Sequence, residues 1–148
     1  MPPMRLVPLL LTLLAAPAHA TAWGVTLIDG TCALVSDPPG HTVTITHDPA
    51  IPLYTLTATR ADGWPEATMF GIAFTGGEAM TITTDRQTFS DDRLSLIVTD
   101  SGFGNVFLGM ETNRLATFFT DTDALPVPLD GAAEAIAEFE ACGATPAV

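Results

Sequence analysis

The chain has 148 residues, a formal net charge of −12 and five basic side chains, all of them arginine. Against 17 acidic residues this leaves no basic patch, which excludes nucleic acid and anionic membrane surfaces as dedicated partners. The acidic share is ordinary, so the imbalance comes from missing bases rather than from an acidic binding face, and the length fits one domain with a real core.

Residues 1–5 carry one arginine, residues 6–14 form an almost unbroken apolar run, and Pro17 precedes the small-x-small sequence Ala18-His19-Ala20. This pattern predicts an export signal cut after Ala20, leaving residues 21–148 as a single β-rich domain in a periplasmic or secreted location. The apolar run is shorter than the roughly 20 residues that a membrane span needs. No later stretch is as hydrophobic, and Thr21 stands where a lipoprotein needs cysteine, so membrane insertion is not expected.

The dominant period of the remainder is two. Trp23, Val25 and Leu27 alternate with smaller or polar residues, and Cys32, Leu34 and Ser36 repeat the pattern after Asp29-Gly30. Residues 41–47 place Val43 and Ile45 on one face and Thr42, Thr44 and Thr46 on the other. Tyr54, Leu56 and Ala58 likewise oppose Thr55, Thr57 and Thr59. Two threonine-faced strands predict a sheet with one face in water, which antiparallel pairing permits. Phe70, Ile72 and Phe74 continue the series, residues 75–78 read as a hairpin loop, and Met80 with Ile82 follows. Leu94, Leu96 and Val98 then run to Asp100.

The last third changes character. Phe103, Val106, Phe107 and Met110 recur at helical spacing, so Ser101 or Gly102 is expected to open a short helix ending near Asn113. Residues 115–120 and 125–129 read as extended. Pro126 and Pro128 confine the second of these to a sheet edge or an irregular stretch. Asp130 is placed to cap a helix over residues 132–141, with Ala132, Ile136 and Phe139 inward and Glu134 and Glu138 outward. The fold class expected is β-rich α+β: a mainly antiparallel sheet or sandwich, one short internal helix, and a C-terminal helix.

Cys32 and Cys142 are the only thiols, 110 positions apart, and no Cys-x-x-Cys occurs. In an exported chain the default is a disulfide, which here ties the last helix to an early strand and is worth about 4–5 kcal/mol on chain-entropy reasoning. Free thiols or an intermolecular bridge are the alternatives. The ending from Leu115 through Val127, Leu129, Gly131, Ile136 and Phe139 to Cys142, with the early Trp23 and Cys32, resembles small exported single-disulfide proteins common in alphaproteobacteria. That resemblance implies architecture and location and adds no activity.

No catalytic or metal motif emerges. His41 and His47 share a face of one strand, but six residues at about 3.3 Å each hold them about 20 Å apart, too far to share a metal. His47-Asp48 lacks a third group, and Ser101 lies among glycines without a Gly-x-Ser-x-Gly elbow. The acids Asp121 and Asp123, and Asp85, Asp91 and Asp92, lack the glycine and closing glutamate of a calcium loop and read as solvated turns, with a weak cation site as the alternative. No cofactor is implied. Most phenylalanines fall on buried faces, whereas Phe118-Phe119 must send one ring away from the main core or under the helix. Trp64, in the Gly/Pro-bounded loop Asp62-Gly63-Trp64-Pro65, is expected to be the most exposed aromatic and a candidate for partner or ligand contact, with capping of the sheet as the alternative. The function expected is a non-catalytic periplasmic binding or envelope-accessory domain, whose partner is an envelope protein or a small ligand. A small hydrolase-like enzyme with an unrecognised site is the alternative. A ligand carrier requires an apolar cavity between sheet and helix, a docking module a flat apolar patch over a filled core, and an enzyme a concave pocket with convergent polar groups near Ser101 or His47-Asp48.

Overall fold

The computed structural model describes residues 23–144 and the isolated Pro3; the expected export signal and its cut after Ala20 lie outside the described residues. The first strands are β1 (Trp23–Ile28), β2 (Thr31–Ser36), β3 (His41–Asp48) and β4 (Leu53–Arg60). They are joined in sequence by antiparallel hairpins. Asp29 and Gly30 both have positive φ (50° and 80°), as a two-residue hairpin turn of the twist-matching kind requires. The chain then leaves this sheet. β5 (Phe70–Thr75) and β6 (Met80–Thr84) pair with each other before the short β7 (Thr88–Phe89) and β8 (Ser95–Asp100) return to it. After helix α1 (Gly104–Thr112), β9 (Leu115–Thr120) and β10 (Ala124–Pro128) join β5, and helix α2 (Ala132–Ala144) follows.

Two sheets result, six strands ordered β1-β2-β3-β4-β8-β7 and four ordered β10-β9-β5-β6. Every pairing is antiparallel. Register follows from the period of two. Leu34, Ile45, Leu56 and Val98 form one cross-strand row, and Ser36, Val43, Ala58 and Leu96 the next. On the opposite face Thr46 aligns with Thr55 and Thr99, and Thr42 with Thr59 and Ser95. The hydroxyl pairs Thr55–Thr99 (3.2 Å) and Thr59–Ser95 (2.7 Å) hydrogen-bond across that face. In the smaller sheet Ile72 pairs with Phe118 and Ile82, and Phe74 with Ala116 and Met80. The apolar faces of both sheets and the inner sides of both helices share one continuous core. β10, with Pro126 and Pro128, lies at a sheet edge, where a missing N–H costs no ladder bond.

α1 begins later than the sequence spacing suggests. Phe103 takes the N-cap position and no side chain caps the helix. Gly109 lets α1 settle directly on the smaller sheet, because a Cβ there would lie 2.4 Å from the Phe74 ring. At the other end the Asn113 side-chain amide donates to the carbonyls of Glu78 (2.8 Å) and Gly109 (3.0 Å). α2 buries Ala132, Ala135, Ile136 and Phe139 and packs on α1, β1 and β2, leaving Glu134 and Glu138 outside. Asp130 is one residue too early to cap it. The carbonyl of Gly131 accepts the first helical bond, from Ala135 N (3.1 Å). The indole N–H of Trp23 donates to Pro128 O (2.9 Å), and the Cys32–Cys142 disulfide, Cα atoms 6.3 Å apart, fastens the far end of α2 to β2.

Trp64 corrects the sequence reading most directly. It is 3% exposed, not a surface ring. Its indole N–H donates to Ala58 O (2.9 Å), its backbone N–H donates to Arg93 O (2.7 Å), and the Arg60 guanidinium lies over the ring at 4.8 Å. Carbonyl acceptors and a stacked cation give the indole what a core site needs: area removed from water with its one donor satisfied. The Phe118-Phe119 pair is resolved as well. Phe118 enters the core, while half-buried Phe119 crosses to the other face and lies over Gly71, at 2.4 Å from where a Cβ would stand.

Candidate functional site: a cavity between the two sheets

The link from β6 to β7, residues 85–87, carries the chain from one sheet to the other. β7 contributes two residues only, so this side is closed by a crossing link and not by paired strands. Behind the link is an open-mouthed cavity of about 380 Å³. Leu56 and Val98 wall it from the large sheet, Phe70, Ile72 and Ile82 from the small one, and Phe103 and Val106 from the start of α1. These residues alternate toward the core along their strands or recur on the inner side of α1, so the same periodicity that builds the core lines the cavity. Its size and apolar walls fall in the range of small-molecule sites.

Polar groups gather at the mouth: Thr84, Asp85, Arg86 and Asp100. Asp100 closes β8 on the same face as Leu96 and Val98, opposite Tyr54 in register, and is half-buried. Its Oδ1 accepts from the backbone N–H of Ser101 (2.7 Å) and more distantly from the Ser101 hydroxyl (3.4 Å). Arg86 is exposed, and its backbone N–H donates to the Thr84 hydroxyl (3.1 Å). Phe103, also on the cavity wall, stacks on Tyr54 with centroids 5.3 Å apart, and Tyr54 in turn contacts His47 at 4.3 Å.

The groups weighed for catalysis are brought near one another without being joined. His47, Tyr54 and Asp100 form one cross-strand row, so Tyr54 separates the imidazole from the carboxylate by two strand spacings, about 10 Å. A general base needs a hydrogen bond to its nucleophile, yet Ser101 turns its hydroxyl toward Asp100 and not toward His47. His41 lies at the other end of the same strand, opposite Arg60, with its Nε2 buried and without a hydrogen-bond partner among the described residues. Burial, helped by Arg60 and opposed by Asp37, lowers its pKa from the usual imidazole value.

Three of the turn acids, Asp121, Asp123 and Asp92, have structural partners. Asp121 accepts from the backbone N–H (3.0 Å) and hydroxyl (3.3 Å) of Thr68, and the first of these bonds is the main reason its pKa is lowered. Asp123 pairs with Arg60, whose hydrogen bond lowers the pKa of that carboxyl. Asp92 accepts from the Ser90 hydroxyl (2.6 Å) and from Leu94 N (3.0 Å). Among the described residues no group of three or more His, Cys, Asp or Glu side chains is arranged to hold a metal ion. No helix among them is long and apolar enough to cross a membrane.

The sequence reading singled out Cys32, Cys142 and Trp64. The first two are joined, and Trp64 lies in the core next to the Arg60–Asp123 pair. It did not find the cavity. Inward parity at Leu56, Ile72 and Val98 was legible, but identical parity marks positions that pack solidly elsewhere. Asp100 on the inward parity of an apolar strand was the one available signal. No protein-family model, curated protein or solved structure matches the chain.

Proposed function

We propose that this protein is an exported, non-catalytic binding domain that holds a small, mainly apolar ligand in the cavity between its sheets. The observation that carries this reading is the cavity itself, with apolar walls from three sides and polar groups confined to its mouth. A disulfide between distant parts of the chain supports an oxidising compartment, as do the leader-like residues before Thr21 and the resemblance of both ends to small exported alphaproteobacterial proteins. The test is titration with N-phenylnaphthylamine, a neutral apolar fluorophore. Saturable one-to-one binding is expected, and Val106→Phe, which places a ring in the cavity, is expected to abolish it without lowering the unfolding midpoint. Absence of binding to the native protein, or equal binding by the variant, refutes the reading.

A second reading rests on a different observation. Ile28 (45% exposed) and Ile51 (58% exposed) border a shared groove at the end of the large sheet. This suits an apolar contact with an envelope protein. Replacing both by serine removes that contact while leaving the cavity untouched, so capture of a periplasmic partner by the native chain alone separates the two readings.

A further inference from the structure

We infer that the ligand's polar end is a protonated amine, and that Asp100 holds it at the mouth of the cavity; this deepens the proposed binding function and rests on it. Of the two acids at the mouth, Asp85 and Asp100, Asp100 is the one held by a strand. It continues the inward row of Leu96 and Val98, stands beside Tyr54, and has Oδ1 tied down by Ser101. Its Oδ2 accepts no hydrogen bond among the described residues. Asp100 is half-buried as a residue, and its second carboxylate oxygen, beside apolar side chains, suits a cationic donor, which answers both its charge and its lone pairs. Phe70 and Phe103 line the same space, and aromatic rings there suit an ammonium group better than an anionic one.

The remaining charges point the same way. Asp85 and Arg86 are adjacent in the exposed crossing link and largely offset each other. Arg86 and the uncapped start of α1 are the features that would favour a carboxylate ligand. A carboxylate there, however, would place a second negative charge beside Asp100, inside a chain whose formal charge is −12. That field repels anions and concentrates cations at the mouth. The ligand class assigned is therefore an aliphatic or aromatic amine with an apolar body small enough for about 380 Å³.

Three probes of one shape test this by calorimetry at neutral pH: phenylbutylamine, phenylbutanol and phenylbutyrate. The amine is expected to bind about tenfold more tightly than the alcohol, the difference a charge-assisted hydrogen bond makes, and the carboxylate most weakly. Asp100→Asn keeps an acceptor for Ser101 N and is expected to bring the amine down to the alcohol while leaving the alcohol unchanged. Equal binding of amine and alcohol by the native protein, or preference for the carboxylate, overturns the amine assignment and leaves the cavity reading standing. Failure of all three probes to bind overturns both.

Discussion

Replacing Cys32 and Cys142 together by alanine tests how much of this fold depends on its single covalent tie. The bridge closes a loop of 110 residues. Chain-entropy reasoning makes its removal worth about 5 kcal/mol, felt mainly as greater freedom of the unfolded chain. At about 2.1 cal/mol/K of unfolding entropy per residue, a domain of this size loses about 0.26 kcal/mol per degree, so the midpoint should fall by close to 20 °C, at about 5 kcal/mol. Both cysteines are half-buried, so the lost sulfur contacts add a smaller amount. A different outcome is built into the geometry. α2 is also held by Ala132, Ala135, Ile136 and Phe139, which are buried in the core. If the disulfide acts only as a local clasp, α2 amides alone should lose hydrogen-exchange protection while the midpoint hardly moves. Thermal unfolding by near-ultraviolet circular dichroism, with exchange read along α2, decides between them. A fall of less than about 5 °C would refute the global, unfolded-state account.

Three further outcomes follow from contacts already described. Gly109→Ala is expected to cost about 1–3 kcal/mol, because the Phe74 ring that its Cβ would strike is 1% exposed and enclosed. Gly71→Ala should cost less, since the half-buried Phe119 ring can swing outward; equal losses in urea titrations would refute that ranking. Trp64→Phe should cost about 1–3 kcal/mol by leaving Ala58 O without its indole donor, and Trp64→Ala about 3–5 kcal/mol, whereas a neutral Trp64→Ala would mean the ring is not part of the core. Asp123 has its pKa lowered chiefly by the Arg60 hydrogen bond, so its contribution is present above the ordinary carboxylate range and is lost as pH falls through the depressed value. Asp123→Asn should therefore be less stable than the native chain by up to about 1 kcal/mol at neutral pH and indistinguishable from it in strong acid; a gap that persists in acid contradicts the ion-pair account.

Much of the fold was legible because local rules and burial agree over most of the chain. The threonine faces of β3 and β4 were readable as solvent faces, since a period of two allows only two sides. Pro126 and Pro128 restricted this segment to a sheet edge or an irregular stretch, and β10 lies at an edge. Trp64 was misread because its loop carries ordinary surface markers. What draws the ring inward is Ala58 O and the Arg60 side chain, both from the preceding strand β4, and Arg93 O, which comes from a distant part of the fold. Asp130 was misread by one residue because the positive φ of Gly131 (76°) moves the turn into α2 forward.

By itself the sequence determined the apolar alternation of the strands, where the chain turns, which two sulfurs are able to meet, and that acids outnumber bases 17 to five. These are local or compositional properties, set by side-chain alternation, turn chemistry and residue counts. Only the tertiary structure decided that β5 and β6 leave the large sheet between β4 and β8, and that Trp64 is enclosed. It also decided that a volume stays open where residues 85–87 cross between the sheets. A cavity is the space left when non-local faces pack without filling one another, and no local pattern along the chain records that remainder.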